Sequence, residues 1–295
     1  MSFKILTDTS SNLPLCILKE ADVLQVPFSY YPKNDPSRLM QCMDIENFDG
    51  KAYYGEIREG TLYNTSQIAP QTYYDAIAPY AEQGIDVLYI GMSSGISGSY
   101  HSSEIARGML EEAYPDRKFY MIDTKAASLG EGIPVLRAIE LRRQGKTIDE
   151  CYKAITELCK HIYQVFTVDD LRHLQRTGRL SNAARILGTL LNIKPILKGN
   201  EQGQIVSIEK VRGSARALKA LAEKYNTLVR NPEAQIVGIA HADNPEGAAQ
   251  LADMLRESNP PKEILTVCYE PVTGAHVGPG TVALFFLGDS DVRSH

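Results

Sequence analysis

The chain has 295 residues, of which 43% are hydrophobic and 23% charged, and its formal net charge is -5. This length and composition suit a globular protein of two lobes and argue against long disordered or fibrous segments. Since lysine and arginine form no block, nucleic acid is not an expected partner. The chain starts without a signal-peptide pattern, and no apolar run approaches the roughly 20 residues that cross a bilayer. We therefore expect a cytoplasmic protein that does not span a membrane.

In the first half of the chain, short apolar runs alternate with helical patterns. The runs at residues 3–6, 86–90 and 119–122 predict strands, and helices are predicted at 71–83, 100–112 and 132–144. Alternation of this kind is typical of a parallel sheet. Thr147 and Glu150 form a capping box before a further apolar helical pattern that runs to residue 162. We predict an α/β lobe at residues 1–164.

The second half has a different texture. It begins with a predicted strand at 165–168 and two short helices. Two runs, 193–198 and 204–211, are predicted to pair as a hairpin. The remaining predicted elements are helices at 214–230 and 245–258 and strands at 236–240, 264–269 and 281–287. We predict an α+β lobe at residues 165–295 and expect a ligand cleft between the two lobes.

The most unusual local feature is the Gly/Ser-rich loop at residues 91–100, which lies between a predicted strand and a predicted helix. It contains Ser93, Ser94, Ser97 and Gly98. A helix N-terminus of this kind favours anions, although the loop could also serve only to cap its own helix.

Two further hydroxyl-rich segments lie after predicted strands or before predicted helices. One is Thr65, Ser66 and Gln67, and the other is the run at residues 8–14. Loops at the carboxyl ends of parallel strands gather at one crevice, so these segments are candidates for the same site. Each could alternatively be a helix cap, because Ser, Thr, Asn and Asp are the preferred capping residues.

Residues 91–95 also fit the pattern G-x-S-x-G, which places Ser93 at the nucleophile position of an α/β-hydrolase elbow. Asp243 and His276 have the chain order required of its partners. However, no HGGG-like oxyanion segment precedes Ser93, and the neighbouring serines suggest a row of donors. A serine hydrolase is the alternative function.

Two segments of the second half add candidate anion ligands. Residues 274–281 place His276 among glycines that include Gly278, and residues 174–181 place Arg176 and Arg179 around a glycine. An imidazole can donate to an anion, and arginine suits carboxylate or phosphate. A solvated loop histidine and two surface arginines are the simpler alternatives.

Taken in order, eight segments of the chain resemble the DegV family of bacterial fatty-acid-binding proteins. They are DTSSNLP from Asp8, TSQ from Thr65, SSGISGSY from Ser93, DTKAASLGEG from Asp123, RTGRLS from Arg176, NIKPIL from Asn192, KVRG from Lys210 and GAHVGPGT from Gly274. Ile-Ala-Pro after TSQ, and a single glycine in RTGRLS, depart from the commoner family pattern.

The resemblance implies that a long-chain fatty acid lies in a buried tunnel between the lobes and that the protein performs no chemistry itself. Thr65 and Ser97 would hold the carboxylate, and His276 would complete the head-group site. Some members of the family work with a fatty acid kinase, which forms an acyl phosphate for phospholipid synthesis, so such a kinase is a candidate partner. Arg176 and Arg179 would contact that phosphate or the kinase. The predicted ligand-binding residues are Thr65, Ser66, Ser94, Ser97, Gly98, His276, Gly278 and Arg179.

A hydroxyl-lined site suits a fatty acid. A carboxylate only accepts hydrogen bonds, and hydroxyls, an imidazole and backbone amides can donate them. Burial of roughly 14 methylenes at about 0.8 kcal/mol each would give about 11 kcal/mol before ordering costs. The sequence lacks G-x-x-x-x-G-K-[ST], so the ATP chemistry would belong to another protein. Its five cysteines form no CxxC or Cys/His group, and we predict neither a metal nor a cofactor.

Overall fold

The structure, a computed structural model, describes residues 3–181 and 192–295. Its chain divides into two compact units, Met1–Phe48 with Asn64–Cys159, and Asp49–Tyr63 with Lys160–His295. This division differs from the single sequence-based boundary at residue 164, because residues 49–63 join the second unit. The hydroxyls of Tyr53 and Tyr54 hold this segment there, since they donate to the carbonyls of Pro271 at 2.7 Å and Tyr269 at 2.9 Å.

The first unit is an α/β structure. Its strands are β1 (Lys4–Asp8), β2 (Val23–Val26), β3 (Ser29–Pro32), β4 (Met40–Gln41), β5 (Tyr63–Ser66), β6 (Val87–Gly91) and β7 (Phe119–Asp123). Its helices are α1 (Leu15–Glu20), α3 (Pro70–Ala81), α4 (Ser99–Ala113), α5 (Leu129–Arg143) and α6 (Ile148–His161), while α2 (Gly50–Arg58) belongs to the second unit.

The main sheet of the first unit has the order β2-β1-β6-β7, and all its pairings are parallel. All five residues of β6 are buried, as expected of a strand covered on both faces. The predicted parallel sheet is therefore confirmed. A small sheet, β4-β3-β5, carries Thr65 and Ser66 on its last strand.

The predicted capping box at the start of α6 is also confirmed. The Glu150 carboxylate accepts from the Thr147 backbone N–H at 2.8 Å, and the Thr147 hydroxyl accepts from the Glu150 N–H at 3.3 Å. Both groups would otherwise be unsatisfied at the helix N-terminus.

The second unit is built on a mixed six-stranded sheet in the order β10-β9-β8-β13-β11-β12. Its strands are β8 (Ile162–Thr167), β9 (Ile193–Gly199), β10 (Ile205–Arg212), β11 (Ile236–His241), β12 (Glu263–Cys268) and β13 (Val282–Leu287). The remaining α-helices among the described residues of this unit are α7 (Arg172–Arg176), α8 (Ser214–Leu228), α9 (Pro245–Ser258) and α10 (Pro271–Val277).

The buried faces of α8 and α9 pack on this sheet through a continuous apolar core that includes Leu221, Leu251 and Phe286. The predicted hairpin is present as the antiparallel pair β9 and β10, with an irregular register between Ser207 and Glu209. Of the two short helices predicted after β8, one is α7. The other has no predicted bounds, and residues 182–191 lie outside the described part of the chain.

Within residues 3–181 and 192–295, we find no helix whose length and hydrophobicity would allow it to cross a membrane.

Candidate functional site

The Gly/Ser loop connects the end of β6 to the start of α4. The backbone N–H groups of Ile96 and Ser97 both donate to the Ser93 carbonyl, at 3.2 and 3.1 Å. This tight turn ends at Ser97, directly before Gly98, the N-cap of the 15-residue helix α4. A helix N-terminus has unsatisfied N–H groups and a partial positive charge, so the loop presents Ser97 where an anion is favoured.

The Ser97 side chain is fixed by Ser99. Its Oγ accepts from the Ser99 N–H at 3.2 Å and lies 3.1 Å from the Ser99 Oγ. Ser99 is fully buried, whereas Ser97 is partly exposed. The Ser99 Oγ also accepts from the Ile68 N–H at 3.0 Å. Ser97 is therefore an oriented hydroxyl at the boundary between solvent and the interior of the unit.

The TSQ segment lies against this loop. The Gln67 side chain donates to the Ser102 hydroxyl at 3.4 Å, and a Cβ atom at Gly98 would come within 2.0 Å of the Gln67 Oε1. A side chain at residue 98 would therefore displace the exposed side chain of Gln67. Thr65 and Ser66 are partly exposed at the end of β5, directly before these contacts. The structure thus brings the segments of Thr65 and Ser97 together in one unit.

Ser94 has a different environment. Its hydroxyl is exposed and accepts from the Lys125 ammonium at 2.8 Å, and its N–H donates to the Asp123 carboxylate at 3.2 Å. Ser94 is thus held by the loop that follows β7. No local pattern in the sequence predicts a lysine beside the serine-rich loop.

The hydroxyl-rich run at residues 8–14 is buried, and its hydroxyls serve the interior. Asp8 caps a short 3-10 turn by accepting from the Ser10 N–H at 2.8 Å, while the hydroxyls of Thr7 and Ser10 donate to Glu131. Asp8 and Glu131 are both fully buried. Burial raises the pKa of Asp8, and burial followed by the charge of Asp8 holds the pKa of Glu131 well above its usual range.

Ser93, the candidate hydrolase nucleophile, is fully buried. Its Oγ accepts from the Gly95 N–H at 3.0 Å, and its own N–H donates to the Ala126 carbonyl at 2.8 Å. A hydrolase elbow instead exposes its serine hydroxyl at a strained turn. In the second unit, Asp243 is ion-paired with Arg58.

The prediction that His276 lies in a loop was wrong, because the structure places it in the last turn of α10. This helix begins where the fully buried Glu270 accepts from the N–H groups of Val272 and Thr273, each at 2.6 Å. Such an acidic cap stabilises the start of the helix, although the glycine-rich sequence gives no local indication of one. Burial, followed by the charge of Arg179, lowers the pKa of His276 to about 3, so the imidazole is neutral at pH 7.

The second unit brings Arg179 within electrostatic range of His276, whereas Arg176 has a different partner. The Arg179 guanidinium donates to the Thr177 carbonyl, whereas Arg176 lies 2.9 Å from His173 Nδ1. Gly278 has a φ of 78°, and a Cβ atom there would come within 2.4 Å of the His173 ring. Residue 278 must therefore be glycine, because its φ is positive and because a side chain would collide with the His173 ring.

Arg176 lines a cleft of about 490 Å³ in the second unit. Its other charged lining residues are Arg58, Asp169, Asp170 and Arg172. Arg179 is not among the residues lining this cleft. The two arginines that the sequence analysis grouped as phosphate or kinase contacts therefore have different surroundings. In the described ranges, no three His, Cys, Asp or Glu side chains are placed to hold a metal ion.

The buried polar residues behind Ser97 had no role predicted from the sequence. The hydroxyls of Tyr73 in α3 and Tyr89 in β6 are hydrogen-bonded at 2.9 Å, and the Tyr89 hydroxyl donates to the Asp8 carboxylate at 2.7 Å. The available signal was an acid, Glu131, inside the otherwise small and apolar run at residues 126–135. A charge at a fully buried helix position calls for polar partners.

Comparison with known proteins gives the same family along the whole chain. A DegV sequence model, described as an uncharacterised protein of the DegV family, matches residues 2–289. A DegV domain-containing protein of Clostridium perfringens is 40% identical over 288 residues, which are 98% of each chain. The chain belongs to the DegV family.

Solved DegV structures share the fold of this family member. A protein of Thermotoga maritima described as a DegV lipid-binding protein is 29% identical, with a TM-score of 0.84 over 97% of this chain and 99% of its own. A DegV protein of Thermus thermophilus, described by its fatty acid binding, is 26% identical, with a TM-score of 0.87 over 98% and 100%. The family and mixed α/β architecture expected from the sequence are both confirmed.

Proposed function

We propose that this DegV protein binds one long-chain fatty acid without transforming it, and that the hydroxyls of Thr65 and Ser97 receive the carboxylate. The observation that carries the proposal is the oriented, partly exposed Ser97 hydroxyl at the start of α4, with the TSQ segment packed beside it. Neutral donors and a helix N-terminus suit an acceptor-only head group. The fatty acid binding described for the Thermus relative supports the same ligand class.

The acyl chain supplies most of the affinity in this proposal, and the head group sets its orientation. Ser66, Ser94 and Gly98 are the other ligand residues predicted in this unit, and Gly98 contributes by leaving room for Gln67. The predicted roles of His276, Gly278 and Arg179 stay predictions. A His276→Gln variant in the binding assay described below tests the first of them.

We expect protein produced in bacterial cells to retain fatty acid, identified by mass spectrometry of the denatured protein. After delipidation, Ser97→Ala should weaken palmitate binding about tenfold, because a hydrogen bond to a charged group contributes about 1.5 kcal/mol or more. Thr65→Val should act in the same direction. Ser37→Ala is the matched control, since its hydroxyl is exposed and donates to the Asp35 carboxylate at 2.5 Å.

Equal palmitate affinity in the wild type and in both site variants would contradict this carboxylate site. Protein that carries no lipid and hydrolyses esters, with activity lost on Ser93→Ala, would support the hydrolase instead.

The proposal extends to a fatty acid kinase that would act on the presented carboxylate. The family resemblance supports this step, and the ATP chemistry would belong to the partner. A pull-down from a native extract tests this kinase step. Any captured kinase is then incubated with ATP and the loaded protein, and acyl phosphate formation is measured. Failure to form acyl phosphate would remove the kinase step and leave fatty acid binding untouched.

A further inference from the structure

A continuous row of hydroxyls leads from Ser97 into the interior of the first unit. The Ser97 Oγ lies 3.1 Å from the Ser99 Oγ, and the Ser99 side chain lies beside the Tyr73 hydroxyl, where it acts as a donor that lowers the pKa of Tyr73. The Tyr73 and Tyr89 hydroxyls are 2.9 Å apart, and the Tyr89 hydroxyl donates to Asp8 Oδ2 at 2.7 Å. All members behind Ser97 are fully buried. We call this row the hydroxyl chain.

The inner end of the hydroxyl chain is a pair of acids. Asp8 also accepts from the N–H groups of Ser10 at 2.8 Å and Met92 at 3.3 Å. The titratable groups that face it are Glu131 from α5, Tyr89 from β6 and, one hydroxyl further, Tyr73 from α3. The pKa of Glu131 is held well above its usual range by burial and by Asp8, so Glu131 is the neutral member of the pair.

The charge on Asp8 sets the direction of every hydrogen bond in the chain. An ionised Asp8 can only accept, so Tyr89 donates to it and must accept from Tyr73. Tyr73 then accepts from Ser99, and Ser99 accepts from Ser97. In this state the Ser97 proton points inward and its oxygen faces outward. A carboxylate also only accepts, so it finds no hydroxyl proton at Ser97.

The opposite direction requires a protonated Asp8. Asp8 then donates to Tyr89, each hydroxyl proton rotates so that its hydrogen bond reverses direction, and Ser97 donates outward. We propose that the hydroxyl chain couples the binding of a carboxylate at Ser97 to the uptake of one proton at Asp8, an inference that rests on the function proposed above. One negative charge and one proton enter together, so the net charge of the site is unchanged. This avoids adding a second carboxylate charge to a poorly solvated region.

The coupling has a definite pH dependence. Above the pKa of Asp8 in the ligand-free protein, each bound carboxylate takes up one proton, and affinity falls up to tenfold per pH unit as pH rises. Below that pKa, Asp8 already carries its proton and affinity is constant. Burial raises the pKa of Asp8, which moves the pH-dependent range closer to neutrality.

The test is titration calorimetry of delipidated protein with palmitate in two buffers of different ionisation enthalpy at pH 7.5. We expect uptake close to one proton for the wild type. Tyr73→Phe, which removes one link and keeps the ring, should take up almost no proton, and its affinity for palmitate should no longer fall as pH rises. The matched control is Tyr163→Phe, because Tyr163 is fully buried and its hydroxyl has no hydrogen-bond partner in the described structure. It should take up as much proton as the wild type.

A second link guards against a misfolded variant. Ser99→Ala interrupts the same chain, and circular dichroism checks the fold of both variants. The carboxyl carbon shift of [1-13C]palmitate in the complex should be that of the ionised form. Palmitate that binds without proton uptake at pH 7.5 and again at pH 9, uptake that survives both interruptions, or a protonated ligand would each overturn the coupling. Failure of palmitate to bind at all would instead overturn the proposed function.

Discussion

Replacing Gly132 by alanine is expected to lower the free energy of unfolding by roughly 1–3 kcal/mol, the usual cost of overpacking a closed interior. Gly132 is buried on α5, where a Cβ atom would come within 2.7 Å of the Ser11 carbonyl oxygen and 3.0 Å of the Leu13 side chain. The nearer contact is backbone, which cannot rotate away. The helix must therefore shift against the turn that follows β1, and Glu131 must shift with it.

The same substitution at Gly108 is the matched control and should have the opposite sign. Gly108 is exposed on α4, and nothing lies within 4 Å of its added Cβ atom. Alanine there should stabilise the helix by about 0.8–1.0 kcal/mol, because glycine has the lower helix propensity. The chain has no tryptophan, so urea unfolding is followed by circular dichroism at 222 nm. Equal effects of the two substitutions would contradict the close approach of α5 to Ser11.

Local patterns predicted the parts of the fold that depend on neighbours in sequence. The fully buried β6 appears as an unbroken apolar run, and the capping box at Thr147 and Glu150 requires only a spacing of three. The hairpin of β9 and β10 follows from two strand-like runs around a Gly/Asn-rich segment. In each case the physical determinant lies within about 20 residues.

Contacts between distant segments could not be predicted in this way. The segment at residues 49–63 joins the second unit through hydroxyls that meet carbonyls more than 200 residues away. The helix α10 depends on the Glu270 cap and lies in a sequence whose glycines suggested a loop. At the candidate site, Ser97 was identified from its own loop, but Tyr73 has no local signal because its partners come from other elements.

The buried acids explain why several polar residues of the first unit lie where a sequence pattern predicts apolar ones. Tyr73 and Tyr89 pack edge to face with ring centroids 5.1 Å apart, so their rings fill the core while their hydroxyls serve Asp8. Glu131 likewise receives the hydroxyls of Thr7 and Ser10. The hydrogen bonds that this one acid pair needs thus require polar side chains on several elements.

Glu131→Gln is expected to flatten the pH dependence of stability, because Glu131 keeps its proton in the folded state. Its pKa is raised well above the usual value of 4.5, mainly by burial. As pH rises above that value, the unfolded chain releases the proton first, so the folded protein loses stability relative to the variant. The loss reaches at most about 1.4 kcal/mol per pH unit for one proton and stops at the folded pKa. The glutamine carbonyl can still accept from Thr7, and its amide can donate to Ser10 and Asp8.

Urea unfolding of both proteins between pH 5 and pH 8 measures this difference. Glu150→Gln is the control of opposite sign, since hydrogen bonds from Thr147 and Lys146 lower the pKa of Glu150 to about 2. The Glu150 carboxylate contributes its full stabilisation above the unfolded pKa and loses it only as pH falls toward 2. The difference in free energy of unfolding between Glu150→Gln and the wild type should therefore be constant above about pH 5.5. For Glu131→Gln, the free energy of unfolding should instead increase relative to that of the wild type as pH rises. Parallel profiles for Glu131→Gln and the wild type would mean that the buried acid does not retain its proton.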